Sequence, residues 1–243
     1  MTIEQFSAAL AEAFGSDCTA IALYGSGATA AAGAKTADYN LLVVVRQLRG
    51  DALRAAAAPV RQWQELGQRA PLILTEAEWR SSRDVFAMEH ADIGARHRTL
   101  HGALPALPPV AVLDLRRQLE FEAMGALLHL RRGVLAVGHD PLRTLDLLVA
   151  VKGTAVALLR SLLRVHGRPV PDDAAAVLAL AAPIAGLGDG DAAALGEVIA
   201  HARGERSIPP TRAAEVLDGV HRLLKGLVAH VDAMWHPDAP AVD

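Results

Sequence analysis

Apolar residues in the first stretch of the chain recur at helical spacing. Phe6, Leu10 and Phe14 fall on one stripe, and Thr2 with Gln5 three residues on forms a capping-box pattern, so a helix is predicted from the start to Gly15-Ser16. The run 19–24 (Thr-Ala-Ile-Ala-Leu-Tyr) reads as a short strand that leads into a small-residue loop, 25–35. A second strand is predicted over 39–45, where Leu-Leu-Val-Val-Val indicates burial on both faces. A helix over 51–66 and a strand over 71–74 follow. Thr75 with Glu78 then makes a second capping box, opening a short helix that holds Trp79. Residues 86–93 read as a fourth strand. Strands alternating with helices predict a sheet with flanking helices.

The pattern changes at Leu104-Pro105-Ala106-Leu107-Pro108-Pro109, a Pro-rich stretch with the character of a domain boundary. Beyond it only helical periodicity is found, with helices predicted over 110–137, 142–166, 172–187, 191–203 and 211–235. Gly138, Gly167, Gly188 and Gly204 stand where C-terminal stops belong. The expectation is an α+β chain. Residues 1–104 form a mixed sheet with flanking helices, residues 110–236 form an all-α bundle, and 236–243 fray.

Composition narrows the function classes. Of 243 residues, 52 % are hydrophobic, 21 % charged and only 4 % aromatic, which suits a globular, helix-rich protein. A formal net charge of −3 leaves no global positive field for long nucleic acid. The single cysteine, Cys18, excludes an internal disulfide framework and a multi-cysteine zinc site. The start, Met1-Thr2-Ile3-Glu4-Gln5, is acidic where a secretory signal is basic. The most apolar helical stretch, 145–163, carries Asp146, Lys152 and Arg160, so it reads as a bundle helix and not a membrane span. A cytoplasmic protein without membrane partners is expected, and an oligomer is compatible with these features.

The chemistry-bearing segment joins the first two strands. Tyr24-Gly25-Ser26 closes strand one, a small-residue loop holds Lys35, and Asp38-Tyr39-Asn40 opens strand two. Residues two apart on an extended chain share a face, so Asp38 and Asn40 point together and Tyr39 points away. Oxygen ligands at that spacing suit magnesium, which takes one or two carboxylates plus substrate phosphates. The Gly25-Ser26 turn could offer N–H groups and a hydroxyl to those phosphates. Each residue also has a structural alternative. Gly25-Ser26 could be a plain tight turn, Asp38 could organise the loop, and Lys35 could be a solvated loop residue. Arg96-His97-Arg98 and His101 form a basic cluster that could meet phosphate or be a solvated turn.

With Gly-Ser at a turn and an acidic strand at this spacing, the segment resembles the nucleotidyltransferase superfamily, whose members share a polymerase-beta-type core. It is similar in particular to bacterial aminoglycoside and minimal nucleotidyltransferases with a helical second domain. The resemblance implies transfer of a nucleoside monophosphate from ATP or another nucleoside triphosphate to a hydroxyl of a small molecule or protein, with Mg²⁺ clamping the reacting oxygens. It assigns Gly25, Ser26 and Lys35 to nucleotide binding and Asp38 to metal binding and catalysis. A third acid comes from residues 86–93, with Glu89 first and Asp92 second, since a regular strand would turn only one toward the site. Asn40 stands where the second acid belongs. It keeps a carbonyl ligand and brings no charge, so the resemblance implies an impaired enzyme that binds Mg-nucleotide weakly, in a cleft toward the helical domain. The alternative is an active transferase. A further resemblance is carried by Arg160 and His166, whose spacing on a helix matches the Arg-x(4–6)-His pattern of HEPN-domain ribonucleases.

Overall fold

The computed structural model describes residues 1–25, 28 and 39–234. The chain divides into two compact units, Met1–Ala111 and Val112–Asp243.

In the first unit, α1 (Ile3–Phe14) opens with the capping box read from the sequence. Gln5 N–H donates to Thr2 Oγ1 at 3.2 Å, and Thr2 N–H donates to Gln5 Oε1 at 2.8 Å. Then follow β1 (Cys18–Tyr24), β2 (Asn40–Val45), α2 (Gly50–Glu65) and β3 (Leu72–Thr75). After these come α3 (Glu76–Ser81), α4 (Ala87–Ala95) and β4 (His97–Gly102). The strands form one mixed sheet in the order β3-β2-β1-β4, with β1 antiparallel to both neighbours and β3 parallel to β2.

Strand alternation sends side chains to two different layers. Ile21, Leu23, Leu41, Val43 and Val45 pack with Phe6, Leu10, Ala56 and Trp63 of α1 and α2. Ala20, Leu42 and Val44 pack on the other face with Trp79 of α3 and Ile93 of α4. Both faces of β2 are therefore covered, as its continuous apolar run required.

The reading of 86–93 as a strand is corrected. This segment lies in a helix, α4, and the fourth strand is the next segment, His97–Gly102. Ala87, Met88, His90 and Ile93 are the residues α4 buries, a helical spacing that eight residues with few β-branched side chains could not distinguish from a buried strand. β4 has no apolar alternation of its own and is held by its register with β1, Ala20 opposite Gly102 through Tyr24 opposite His97. Its last residue, Gly102, has φ +61°, and a Cβ there would stand 2.0 Å from the Thr19 carbonyl oxygen.

The second unit contains α5 (Val112–Val137), α6 (Pro141–Val165), α7 (Ala174–Ile184), α8 (Asp189–Ala202) and α9 (Ala213–Ala233). No strand occurs among its described residues. Helix α6 is its centre, with Leu158, Leu159, Leu162 and Leu163 fully buried. Asp140 caps α6, accepting from the N–H groups of Leu142 and Arg143, with Pro141 in the first turn. Gly138, Gly167 and Gly204 take positive φ after their helices, as stops do. Gly188 does not. It is the N-cap residue of α8, and the stop after α7 is Gly186. Among the described residues no helix is long and apolar enough to cross a membrane.

Candidate active site

Of the residues singled out in the sequence, Gly25 and Asn40 lie where β1 ends and β2 begins. Tyr24 is the last residue of β1, and Gly25 follows with φ +71°, a conformation that L side chains rarely adopt. The Ala28 N–H returns to the Gly25 carbonyl at 3.2 Å. A Cβ on Gly25 would lie 3.3 Å from Asn40 Nδ2, so the turn and the first side chain of β2 approach closely. Ser26, Lys35 and Asp38 lie outside the described residues.

Asn40 pairs with Tyr24, and Tyr24 pairs on its other side with His97. One end of the sheet thus carries a cross-strand row, Asn40–Tyr24–His97. Of the alternation expected over residues 38–40, Tyr39 and Asn40 are described and belong to opposite faces. Tyr39 packs toward α2, its ring 5.9 Å from that of Trp63, and its N–H donates to Gln68 Oε1. Asn40 has the parity of Leu42 and Val44 and so belongs to the α3/α4 face, as does Tyr24.

Helix α4 supplies the acids. Because 86–93 is helical, Glu89 and Asp92 are three residues apart on one helix face, and the strand argument that only one of them could face the site falls away. Both are half-buried and both act on Tyr24. Burial first, and then the negative charge of Glu89, raises the Tyr24 phenol above its usual range. Arg69 opposes this and Asp92 adds to it. Asp92 also lies 3.8 Å from Arg96 Nη2. His97 Nδ1–H donates to the Ile93 carbonyl at 2.8 Å, which fixes the ring against the end of α4. Tyr24 was not singled out as a site residue in the sequence, and His97 only as part of the basic cluster with Arg96, Arg98 and His101. The signal for Tyr24 was its place as the last strand residue before the Gly-Ser turn.

His90, on the opposite side of α4, is structural. Its ring stacks on Trp79 with centroids 4.0 Å apart and its Nε2 lies 3.1 Å from Ser82 Oγ. Burial, and then Arg83, lowers its pKa. In the second unit, Arg160 is buried and its Nη2 donates to the Asp172 carbonyl at 2.7 Å. His166 caps the end of α6 and faces His230, Nε2 to Nε2 at 3.4 Å.

As a magnesium set, the described donors at the sheet end comprise one neutral amide and the two carboxylates of α4. Among the described residues no group of three or more His, Cys, Asp or Glu is arranged to hold a metal ion. A pair of dications needs more anionic charge than Asn40 provides.

No protein-family model matches the chain and no curated protein matches it in sequence. Among solved structures it is similar to a spectinomycin adenyltransferase from Enterococcus faecialis, solved with ATP and spectinomycin. The TM-score is 0.59 at 13 % identity, over 93 % of this chain and 99 % of that one. A mixed four-stranded sheet with flanking helices, followed by a helical unit, is thus a nucleotidyltransferase-like α+β fold.

Proposed function

We propose that this protein is an impaired nucleotidyltransferase, one that binds magnesium–nucleotide weakly at the β1/β2 sheet end and transfers nucleotide slowly or not at all. The observation that carries the reading is Asn40, which opens β2 beside the Gly25 turn on the face that α4 covers. A carboxylate at that point would add charge for a metal held with the phosphates, and an amide adds none. Asp38, two residues earlier, supplies the remaining acid of the motif, and Gly25, Ser26 and Lys35 contact the phosphates. Charge removed from a partly desolvated ion site weakens binding by several kcal/mol as an order of magnitude.

The α4 acids favour a second reading, residual transfer to a small hydroxylated acceptor. The structurally similar protein was solved with ATP and such a molecule. In that reaction Glu89 takes the proton of the acceptor hydroxyl, whose oxygen forms a bond to the α-phosphorus as the bond to the pyrophosphate oxygen breaks.

Melting the parent and Asn40→Asp with and without magnesium–ATP tests the main reading. The expected result is little metal-dependent stabilisation of the parent and clear stabilisation of the variant, consistent with about tenfold tighter binding. Without ligand the variant is slightly less stable, because a new carboxylate joins Asp38, Glu89 and Asp92. Strong stabilisation of the parent, with nothing added by Asn40→Asp, would make Asn40 a competent ligand or place it outside the site. Pyrophosphate release tests the second reading, and there Glu89→Gln is expected to lower the rate by about 10²-fold or more.

A further inference from the structure

Helices α6 and α9 end at the same place in the second unit, and each brings a histidine there. His166 closes α6, its N–H donating to the Leu162 carbonyl at 3.1 Å. His230 lies in the last turn of α9. The ring centroids are 5.6 Å apart and the Nε2 atoms only 3.4 Å apart, so the rings meet tip to tip and are not stacked. That separation is long for a hydrogen bond, since good N–H bonds span about 2.7–3.2 Å. It is instead the distance that two ligands keep on a tetrahedral ion. Imidazole nitrogens about 2.0–2.1 Å from zinc, with a tetrahedral angle between them, stand about 3.4 Å apart. An octahedral ion such as magnesium would draw neighbouring ligands to about 2.9 Å, and it prefers oxygen.

We infer that His166 and His230 form a two-histidine zinc site that ties the ends of α6 and α9 together, with water completing the coordination. The backbone on each side is held in place. Gly167 N–H donates to the Arg164 carbonyl at 2.9 Å and Arg168 N–H to the Leu163 carbonyl at 2.8 Å. Next to His230, Arg116 Nη2 donates to the carbonyl of the fully buried Val231 at 3.1 Å. The ligands are therefore set before an ion arrives. Both stand at helix C-termini, whose partial negative charge favours a cation. Burial, and then His166, lowers the His230 pKa, so that ring is neutral at pH 7 and keeps a lone pair. His166 is exposed and His230 half-buried, which leaves the remaining coordination positions to water. On binding, the Nε2 proton that one ring carries moves to its own Nδ1 through solvent, and both Nε2 lone pairs then meet the metal. A small rotation of the exposed His166 ring turns these lone pairs off the line between the two nitrogens and onto the ion. Two protein ligands make a weaker site than the three or four of resident zinc, so this tie forms and releases with the zinc supply.

Isothermal titration of the full chain with zinc chloride tests this. The expected result is one zinc per chain with a Kd of about 100 μM or tighter, and a melting temperature that rises with zinc. His166→Ala and His230→Ala are each expected to weaken binding by about tenfold or more while circular dichroism shows a folded bundle. The two changes in one chain should cost no more than either alone, because one ion needs both rings. Should an alanine variant fail to fold, His166→Gln and His230→Gln read the same loss. A parent that binds no zinc at about 100 μM overturns the inference. So does zinc binding that either single variant retains, which would place the ion on other histidines or on Cys18.

Discussion

On one face of the sheet Phe6 lies flat against Trp63, with ring centroids 4.6 Å apart, and the fully buried strand residues of that layer, Ile21, Leu23, Leu41, Val43 and Val45, are aliphatic. On the other face the layer that holds Leu42, Val44 and Ile93 also reaches Tyr24 and is bordered by Asn40, Glu89, Asp92 and the buried ring of His90. The same three strands build both. The dry face can be optimised for packing alone, and it fixes where β1 and β2 end. The mixed face then carries polar groups at those ends. Burial raises the Tyr24 phenol and lowers the His90 imidazole, so this layer responds to pH where the dry one does not.

The largest expected effect lies on the dry side. Trp63→Ala removes the partner of Phe6 from a fully packed layer and is expected to cost about 3–5 kcal/mol in denaturant unfolding. Trp63→Phe keeps a stacked ring and is expected to lose less than half of that. The indole Nε1 is buried with no acceptor among the described residues, so losing its N–H removes no internal hydrogen bond. Equal losses for both variants would break the claim that stacking dominates this face.

On the mixed side, Gly25→Ala is expected to cost about 1–2 kcal/mol. It imposes a side chain on φ +71° and pushes a Cβ to 3.3 Å from the Asn40 amide. Because the strain falls beside residue 40, the magnesium–ATP stabilisation expected of Asn40→Asp should shrink when Gly25→Ala is combined with it. A variant as stable as the parent would show that the turn relaxes freely.

The smallest effect concerns pH. His90 has its pKa held below the ordinary 6.5, chiefly by burial. The unfolded chain therefore takes up the proton first as pH falls, so His90 contributes stability above pH 6.5 that is lost as pH drops through its folded pKa. His221 and His230 are lowered too and act with the same sign in the second unit. His90→Phe, which keeps a ring against Trp79, is expected to flatten the loss of stability between pH 7 and pH 5 without abolishing it. Tryptophan fluorescence in a Trp235→Phe background follows this, since Trp63 and Trp79 both belong to the first unit. An unchanged pH slope would assign the acid sensitivity elsewhere.

The elements the sequence made legible are those whose determinants are local. Thr2 with Gln5 and Thr75 with Glu78 form the capping boxes that their spacing announced, because each needs only a side chain and a backbone three residues apart. The long bundle helices were legible for the same reason, since amphipathic periodicity over more than twenty residues has few other meanings. β4 was not. Its sequence His-Arg-Thr-Leu-His-Gly has the composition of a solvated turn, and it is a strand because β1 supplies its hydrogen-bond partners from nearly eighty residues away. Once β4 was missed, α4 was assigned its place in the sheet, and Glu89 and Asp92 became rivals for one position. The apposition of Gly25 and Asn40 was legible from the turn and the strand start. The part played by Tyr24 was not, because it depends on which helix covers its face.

The Pro-rich stretch at residues 104–109 belongs to the end of the first unit. The Trp79 indole donates to the Pro105 carbonyl at 3.0 Å, Arg83 reaches the Pro108 carbonyl at 3.4 Å, and Leu104 and Leu107 pack under Trp79. Although its prolines give it the look of a spacer, this stretch is a strap across the first unit with little slack for a protease to bind. A fragment ending at residue 104 would strand the indole N–H and uncover the layer beneath it. One ending at Ala111 would keep both, so the two fragments should differ in solubility far more than seven residues ordinarily allow.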